Sequence, residues 1–250
     1  MKIARILAAT AAVALLGPLQ PATAAPAQGG DTASPDIAGG TTTSIASAPY
    51  AAQISFDSTG TSVGCTGSQI SASWVITAKH CNSTSLKSVR LGTSYLESGG
   101  TVKTVAARYA SSAGDVLLLK LSTPHYGSYV GLSSSFPAAG VAAKVYGWGD
   151  QTEGAGTMSY NLKTANVTVA GQGIDTYGGP SVRTQSQTGH TLGGDSGGPL
   201  IVNGKLAGVL STSSILPASN PSSYTRYYND HASVARNLSW ITNVSGVGAS

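Results

Sequence analysis

The sequence predicts an all-β fold, either a barrel or a sandwich. From Ile37 onward, short runs of β-branched and aromatic residues alternate with Gly, Ser, Asn and Pro, at the spacing of strands joined by tight turns. Charged residues make up only 10% of the chain and glycine accounts for 32 of its 250 residues, which is typical of a turn-rich β protein. Residues 231–244 place apolar side chains at helical spacing and are predicted to form a terminal amphipathic helix.

Each predicted strand is a run of four to nine residues bounded by turn-forming residues. These runs are residues 50–56, 73–78, 88–92, 115–121, 142–149, 162–170, 199–202 and 205–212. We expect one folded domain, or two small subdomains, over residues 37–250, which is long enough to bury a sizeable core.

The N-terminal region, residues 1–24, is predicted to be a secretory signal peptide. A basic start precedes an apolar run at residues 6–17, and the small-x-small pattern of a cleavage site follows at Ala22 and Ala24. The apolar run is too short to span a bilayer, which argues against the alternative of a membrane anchor. Residues 25–36 are rich in Ala, Pro and Gly and are predicted to be a short pro-segment. We therefore expect a secreted, extracellular protein.

The net charge of +4 comes from scattered basic residues rather than from a run. This pattern predicts a solvated basic surface and no nucleic-acid partner. Cys65 and Cys81 are the two cysteines, and in an exported protein such a pair is most simply a disulfide; two free thiols or half of a metal site are the alternatives. A disulfide closing a loop of about 16 residues stabilises a fold by roughly 3 kcal/mol.

Three short stretches carry residues suited to nucleophilic catalysis. "SWVITAKHC" contains His80, "GDVLLLKL" places Asp115 at the start of an apolar strand, and "GGDSGGPL" surrounds Ser196 with glycines. A serine hydroxyl becomes a strong nucleophile when an imidazole takes its proton and an acid fixes the tautomer of that imidazole. The glycines let the N–H groups of Gly194 and Ser196 converge as an oxyanion hole.

These stretches resemble the chymotrypsin/trypsin family of serine endopeptidases, over nearly all of residues 37–250. "TAKHC" is similar to the family motif TAAHC, with Lys79 in place of an alanine, "DVLLLKL" is similar to DIALLKL, and "GDSGGPL" is the serine motif unchanged. The resemblance implies two six-stranded antiparallel β-barrels with a C-terminal helix and a catalytic cleft between the barrels. It further implies a Cys65–Cys81 disulfide, protein or peptide substrates, an acyl-enzyme intermediate and no cofactor or metal.

The segment "IAGG", residues 37–40, resembles the mature N-terminus of the family, usually IVGG. The resemblance implies that cleavage after Asp36 frees an ammonium group on Ile37, which then pairs with Asp195. A buried carboxylate beside the nucleophile is costly without such a partner.

The sequence departs from trypsins around the primary specificity pocket. His190 stands where trypsins have an acidic pocket floor, and Thr212 and Ser213 replace the usual Trp-Gly wall. The residues expected to bind substrate are His190, Thr191, Ser211, Ser213 and Ser222. An imidazole with several hydroxyls favours a carboxylate, so we predict cleavage after Asp or Glu, with a narrow polar pocket of broad preference as the alternative.

Other candidate residues are predicted to lie outside the catalytic group. Asp150 and Asp175 are expected on the surface, His125 and His231 are expected to be exposed, and Lys79 is expected to face solvent. Ser211 is expected to donate a hydrogen bond to Asp115.

Two other classes of protein fit the sequence less well. A binding protein that lost catalysis would typically lack a triad residue or the oxyanion glycine, and this chain keeps them all. An esterase of the α/β-hydrolase type needs the order Ser, acid, His, whereas here the serine comes last. We expect a monomer with no membrane partner once the signal peptide is removed.

Overall fold

The computed structural model describes residues 37–216 and 226–250, so the predicted signal peptide and pro-segment lie outside the described residues. The described residues form thirteen strands and one α-helix, α1, over Val234–Ser245. The strands are β1 Thr41–Thr42, β2 Ala51–Ser55, β3 Val63–Ser71, β4 Trp74–Thr77, β5 Ser88–Leu91, β6 Thr101–Ala110, β7 Leu117–Leu121, β8 Ala142–Gly147, β9 Lys163–Ile174, β10 Pro180–Ser186, β11 Pro199–Val202, β12 Lys205–Leu216 and β13 Arg226–Ser233.

The first barrel is a closed antiparallel sheet with the strand order β2-β3-β4-β7-β6-β5. Its most apolar strand is β7, in which Leu117, Leu118 and Leu119 are all buried. Side chains on both faces of this strand are covered because one cluster joins the barrel interior to Val234 and Ile241 of α1. The unbroken run of leucines is therefore explained by burial on two sides rather than one.

The second barrel has the order β8-β9-β10-β13-β12-β11 and closes through the pairing of β8 with β11, while β1 adds to the outer side of β9. Its core contains Val145, Val167, Val182 and Ile37, the residue at which the predicted mature chain begins. Two closed six-stranded antiparallel barrels and a C-terminal helix confirm the predicted fold class.

The sequence patterns located eight of these strands and missed β1, β3, β6, β10 and β13. Strand β3 escaped because it is made mostly of small and polar residues; Gly64 has the Phe56 ring where its Cβ would lie, and Gly67 lies against Ile76. Strand β6 escaped because most of its side chains are exposed or half-buried, which leaves no apolar face. Hydrophobic periodicity cannot find strands of either kind.

The helix α1 begins three residues later than the sequence predicted, because residues 231–233 belong to β13. The Ser233 side chain accepts the N–H of Arg236 and caps the first turn. The helix ends at Gly246, whose φ of 74° lies in the left-handed region. No helix among the described residues is long and apolar enough to cross a membrane.

Candidate active site

His80 lies where the chain leaves the first barrel. Strand β4 is buried along its whole length, and a single 3-10 turn, Lys79–Cys81, follows it. A disulfide joins Cys81 to Cys65 on β3, as predicted, and fixes this turn to the barrel wall. The His80 side chain, which is 28% exposed, is thereby held at the barrel rim with one edge toward solvent.

Asp115 is fully buried just before β7 and faces His80. Its Oδ1 accepts the His80 backbone N–H at 2.9 Å, and its Oδ2 lies 2.7 Å from His80 Nδ1. Ser211 Oγ donates to the same Oδ2 at 2.6 Å. Burial raises the pKa of Asp115, but the hydrogen bonds from His80 and Ser211 and the charge of His80 outweigh it and lower the pKa overall. An ionised Asp115 can only accept, so His80 carries its proton on Nδ1 and leaves Nε2 free as a base.

The loop that carries Ser196 belongs to the second barrel but is held by the first. The Thr66 N–H of β3 donates to Ser196 O at 2.8 Å, and Thr66 Oγ1 donates to Gly194 O at 2.9 Å. Gly197, with φ of 81°, packs so tightly that a Cβ there would overlap Thr77 Oγ1. Glycine is required at this position because the main chains of the two barrels are in direct contact.

Several hydrogen-bonding groups of the predicted catalytic residues have no partner among residues 37–216 and 226–250. Within the described part of the chain, neither the Gly194 N–H nor the Ser196 N–H donates to another residue, and the same holds for the hydrogen-bonding atoms His80 Nε2 and Ser196 Oγ. Catalytic hydrogen bonds commonly tighten only when substrate binds. The described residues thus leave a potential base, a hydroxyl and two N–H donors without partners.

Asp195 lies directly beneath the nucleophile loop and is almost completely buried. Gly149 N–H donates to its Oδ1 at 2.7 Å, and Leu192 N–H donates to its Oδ2 at 3.1 Å. Burial raises the pKa of Asp195 to about 7, and these two hydrogen bonds only partly offset that effect. No cationic group pairs with this carboxylate among the described residues.

A cleft of about 460 Å³ adjoins Ser196. Its floor is a network of polar side chains, in which Thr191 Oγ1 lies 2.8 Å from Ser213 Oγ and donates at 2.8 Å to Asn229 Oδ1. The cleft is lined by Asp150, Glu153, Gly154, Thr191, Leu192, Gly193, Ser196, Leu210, Ser211, Thr212 and Ser213.

The predicted substrate-binding residues divide into three groups. Thr191, Ser211 and Ser213 line the cleft. His190 instead stacks face to face on Tyr227, with ring centroids 3.7 Å apart. Burial lowers the pKa of His190, against an opposing effect of Glu153, so the imidazole is neutral at pH 7. Ser222 lies outside the described residues.

Two of the predictions about histidines were wrong. His231 is fully buried in the second barrel, where Thr184 Oγ1 lies 3.1 Å from its Nε2. Burial lowers the pKa of His231 to about 3, so this side chain is a neutral core residue. His125 is half-buried, with Nδ1 lying 3.0 Å from Gln69 Oε1.

Lys79 and Asp175 also do not face solvent as predicted. Lys79 Nζ donates to Ser111 O at 2.9 Å and lies 4.3 Å from the centre of the Tyr177 ring. Asp175 is buried, and its Oδ2 accepts the Asp115 N–H at 2.9 Å. Turn-like sequence around Asp175 gave no sign that its turn is covered by the other barrel.

Asn229, which the sequence did not indicate, supports the cleft-lining Thr191. It is fully buried, holds Thr191, and is placed opposite Ser213 by the pairing of β12 with β13. Its Nδ2 has no hydrogen-bond partner among the described residues. No signal in the sequence indicated this position, because β13 was not predicted and the helix was placed from residue 231.

The chain is similar to known proteins over almost all of the described region. The family profile described as Trypsin matches residues 37–241. Trypsin delta of Drosophila melanogaster is 33% identical over 228 residues, which cover 82% of this chain and 87% of that protein.

Two solved structures share the fold. Neuropsin, a serine protease expressed in the limbic system of mouse brain, is 27% identical with a TM-score of 0.62, covering 78% of this chain and 94% of that one. Human heparin binding protein is 24% identical with a TM-score of 0.67, covering 83% and 96%, and shows the fold alone. Together with the family profile and the trypsin relative, the matches identify this chain as a serine endopeptidase that acts on protein substrates and belongs to the trypsin family.

Proposed function

We propose that this protease cleaves peptide bonds with Ser196 as nucleophile, His80 as general base and then acid, and Asp115 as the acid that orients the imidazole. The observation that carries the proposal is the double attachment of His80 to Asp115, through the backbone N–H and through Nδ1. This attachment fixes both the position and the tautomer of the imidazole before substrate arrives.

The first half of the reaction forms an acyl-enzyme. Ser196 Oγ attacks the scissile carbonyl carbon while its proton passes to His80 Nε2. The N–H groups of Gly194 and Ser196 stabilise the oxyanion of the tetrahedral intermediate. Collapse of that intermediate breaks the C–N bond, and the leaving amine takes the proton from His80 Nε2.

The second half restores the enzyme. Water enters the cleft, loses a proton to His80 Nε2 and attacks the ester carbonyl through the same oxyanion site. The ester C–O bond breaks, Ser196 Oγ recovers the proton and the new carboxyl group leaves. Asp115 stays ionised throughout and stabilises the imidazolium that forms in each half.

We infer that the active form begins at Ile37. The Ile37 side chain already fills the core of the second barrel, while its φ of 35° is unfavourable for a β-branched residue. Cleavage before Ile37 removes the φ restraint and creates an ammonium group, and the carboxylate of Asp195 needs a cation of that kind. Sequencing the N-terminus of the active form tests this, and full activity with residues 25–36 attached contradicts it.

We propose that the pocket selects the substrate residue before the scissile bond through hydrogen bonds from the enzyme's own side chains. Thr191 and Ser213 place hydroxyl oxygens in the cleft, and Thr191 donates to the fully buried Asn229, whose Nδ2 has no partner among the described residues. One version of this proposal is cleavage after Glu or Asp. Asp36 supports it, because Asp36 precedes the proposed activation bond and an enzyme that cleaves after Asp can process its own precursor. The carboxylates of Asp150 and Glu153 in the cleft oppose it.

Four peptides that differ only in Glu, Gln, Phe or Arg at this position separate the possibilities. A kcat/KM higher for the Glu peptide than for the Gln peptide supports recognition of the negative charge. A higher value for the Gln peptide supports recognition by hydrogen bonds alone. A clear preference for Phe or Arg rejects both. A Ser196→Ala precursor that still matures at Ile37 in a host without other acid-specific proteases excludes self-processing.

We further propose that the protein is exported and acts outside the cell as a monomer. The support is the basic start, short apolar run and small-x-small site of residues 1–24. Recovery of a form that begins at or after residue 25 from the culture medium, with the mass of one chain, tests both statements. Retention of the intact chain in the membrane fraction contradicts them.

The experiment that tests the catalytic proposal compares wild-type protein with Ser196→Ala. A fluorophosphonate probe should label the wild type and not the variant, and kcat/KM on a peptide should fall by roughly 10⁶-fold in the variant. A pure binding protein on the same fold takes up no probe. Hydrolysis by purified Ser196→Ala at the wild-type rate would falsify the nucleophile assignment.

A further inference from the structure

The loop of residues 175–179 joins β9 to β10 in the second barrel and reaches the acid of the first. Asp175 Oδ2 accepts the N–H of Asp115 at 2.9 Å, across 60 residues of chain. Asp175 Oδ1 accepts the N–H groups of Tyr177 and Gly179, each at 2.9 Å. The carboxylate is buried and fixes the main chain of Asp115 to a closed turn of the opposite barrel.

The same loop also orients Ser211. Ser211 Oγ accepts the Thr176 N–H at 3.0 Å and donates to Asp115 Oδ2 at 2.6 Å. The Ser211 hydroxyl also lies 3.2 Å from Thr176 Oγ1, but it has one proton, and the shorter contact with the charged carboxylate takes that proton. The loop thereby acts on Asp115 twice, once through the main chain and once through the Ser211 hydroxyl.

The contact between the loop and the first barrel leaves no space for a side chain. A Cβ on Gly114 would lie 2.5 Å from Asp175 Oδ2. A Cβ on Gly179 would overlap the Ala113 carbonyl oxygen and lie 2.6 Å from Gly114 Cα. Lys79 closes the contact from the other side, because its Nζ donates to Ser111 O and lies over the Tyr177 ring.

We propose that Asp175 is a positioning residue for catalysis, and that the 175–179 loop lets the second barrel set the position of the first barrel's acid. The inference rests on the proposed roles of Asp115 and His80. Asp175 does not line the substrate cleft, so its loss should lower kcat and leave KM nearly unchanged.

The main test is Asp175→Asn, which keeps the shape and replaces one acceptor oxygen by a donor. That donor must oppose either the Asp115 N–H or the pair of N–H groups from Tyr177 and Gly179. We expect kcat per titrated site to fall about 10- to 100-fold, and KM to change by less than about threefold. The matched control is Asp57→Asn, because Asp57 also accepts backbone N–H groups in a turn, from Thr59, Gly60 and Thr61, but is half-buried, and no hydrogen bond of the described residues joins it to Asp115.

A pair of glycine variants tests the positioning role of the 175–179 loop without removing a carboxylate. It also tests that role if Asp175→Asn does not fold. Gly179→Ala pushes the loop away from Ala113, whereas Gly204→Ala strains the turn between β11 and β12 at a φ of 77° with nothing within 4 Å of its Cβ. We expect Gly179→Ala to lower kcat about tenfold and Gly204→Ala to lower only the melting temperature. Equal kcat losses in both, or in Asp57→Asn and Asp175→Asn, overturn the proposal.

A spectroscopic measurement separates this inference from the catalytic proposal. In a Ser196→Ala background, the proton NMR signal of His80 Nδ1–H reports the hydrogen bond to Asp115 without any turnover. Asp175→Asn should shift or broaden that signal, and Asp57→Asn should not. An unchanged signal overturns the positioning role, whereas a wild type without hydrolysis or probe labelling overturns the catalytic proposal alone.

Discussion

Asp115 and Asp195 are both buried carboxylates beside the candidate active site, one held by each barrel, yet they differ in proton affinity. The pKa of Asp115 is lowered, because bonds from His80 and Ser211 outweigh its burial. The pKa of Asp195 is raised to about 7, because burial dominates and two backbone N–H groups do not compensate. Burial alone therefore does not decide the state of an acid here; the partners decide it.

The difference agrees with the proposed activation, in which the His80–Asp115 side of the site has its partners before cleavage and the Asp195 side does not. The His80–Asp115 side has all its partners from within the two barrels. The Ser196 side contains a carboxylate that is stable in its charged form only with a cation, and the proposed ammonium on Ile37 is that cation. Activation on this view completes one side of the site and leaves the other unchanged.

The largest expected effect on activity comes from a substitution on the His80–Asp115 side of the site. Asp115→Asn presents an amide to His80 Nδ1, so the imidazole holds its proton on Nε2 and cannot accept one from Ser196. We expect kcat to fall about 10⁴-fold with the melting temperature within a few degrees of wild type. Steady-state kinetics on a peptide measure this, and a loss of less than tenfold would contradict the assigned role.

The next largest effect on activity comes from a substitution of Asp195 in the protein cleaved before Ile37. Asp195→Asn should leave the proposed ammonium on Ile37 buried without its counter-charge, at a cost of about 3–5 kcal/mol. We expect a folded protein cleaved at Ile37 whose activity is about 10²- to 10³-fold below wild type. Probe labelling of the cleaved variant at the wild-type rate would show that no ion pair forms the site.

The third effect is a pH dependence of the precursor. With the pKa of Asp195 raised from 3.8 to about 7, the folded state keeps a proton that the unfolded state releases. The free energy of unfolding should therefore fall as pH rises from about 4 to about 7, by up to about 4 kcal/mol, and then stay level. Asp115 acts in the opposite sense, since its stabilisation is lost as pH falls below its unfolded pKa.

The measurement is urea unfolding of the uncut Ser196→Ala precursor at several pH values, with and without Asp195→Asn. Subtracting the two curves cancels Asp115 and every other group they share. If the difference in the free energy of unfolding between the two proteins does not vary between pH 4 and 7, the proposal that Asp195 lacks a cationic partner in the precursor is wrong.

The smallest expected effect concerns Ser211, which serves the His80–Asp115 side from the second barrel. Ser211→Ala removes the 2.6 Å hydrogen bond to Asp115 Oδ2 and should lower kcat about tenfold. The matched control is Ser213→Ala, two residues along the same strand, which should change the preference among the four peptides and spare kcat on the best one. Equal changes in both variants would mean that Ser211 acts only as a cleft residue.

Local motifs carried much of the site. The histidine, aspartate and serine stretches are short, and each contains a residue type that the proposed chemistry requires, so their positions could be read directly. Asn229, Asp175 and Lys79 could not be read in this way. Their surroundings come from strands that are distant in the sequence, and their own neighbours in the chain are ordinary turn or surface residues.

By itself, the sequence determined an all-β barrel or sandwich, a cysteine pair suited to a disulfide, and the stretches that contain His80, Asp115 and Ser196. The two-barrel architecture was implied by the family resemblance of those stretches. These depend on patterns within a few residues or on motifs of fixed composition. Only the tertiary structure decided which acids are buried, where His190 lies and which residues hold Asp115 by hydrogen bonds. Those properties arise where the two barrels meet and where β12 pairs with β13, because solvation and hydrogen bonding depend on neighbours brought together by the fold, and a carboxylate or imidazole has no fixed state until those neighbours are in place.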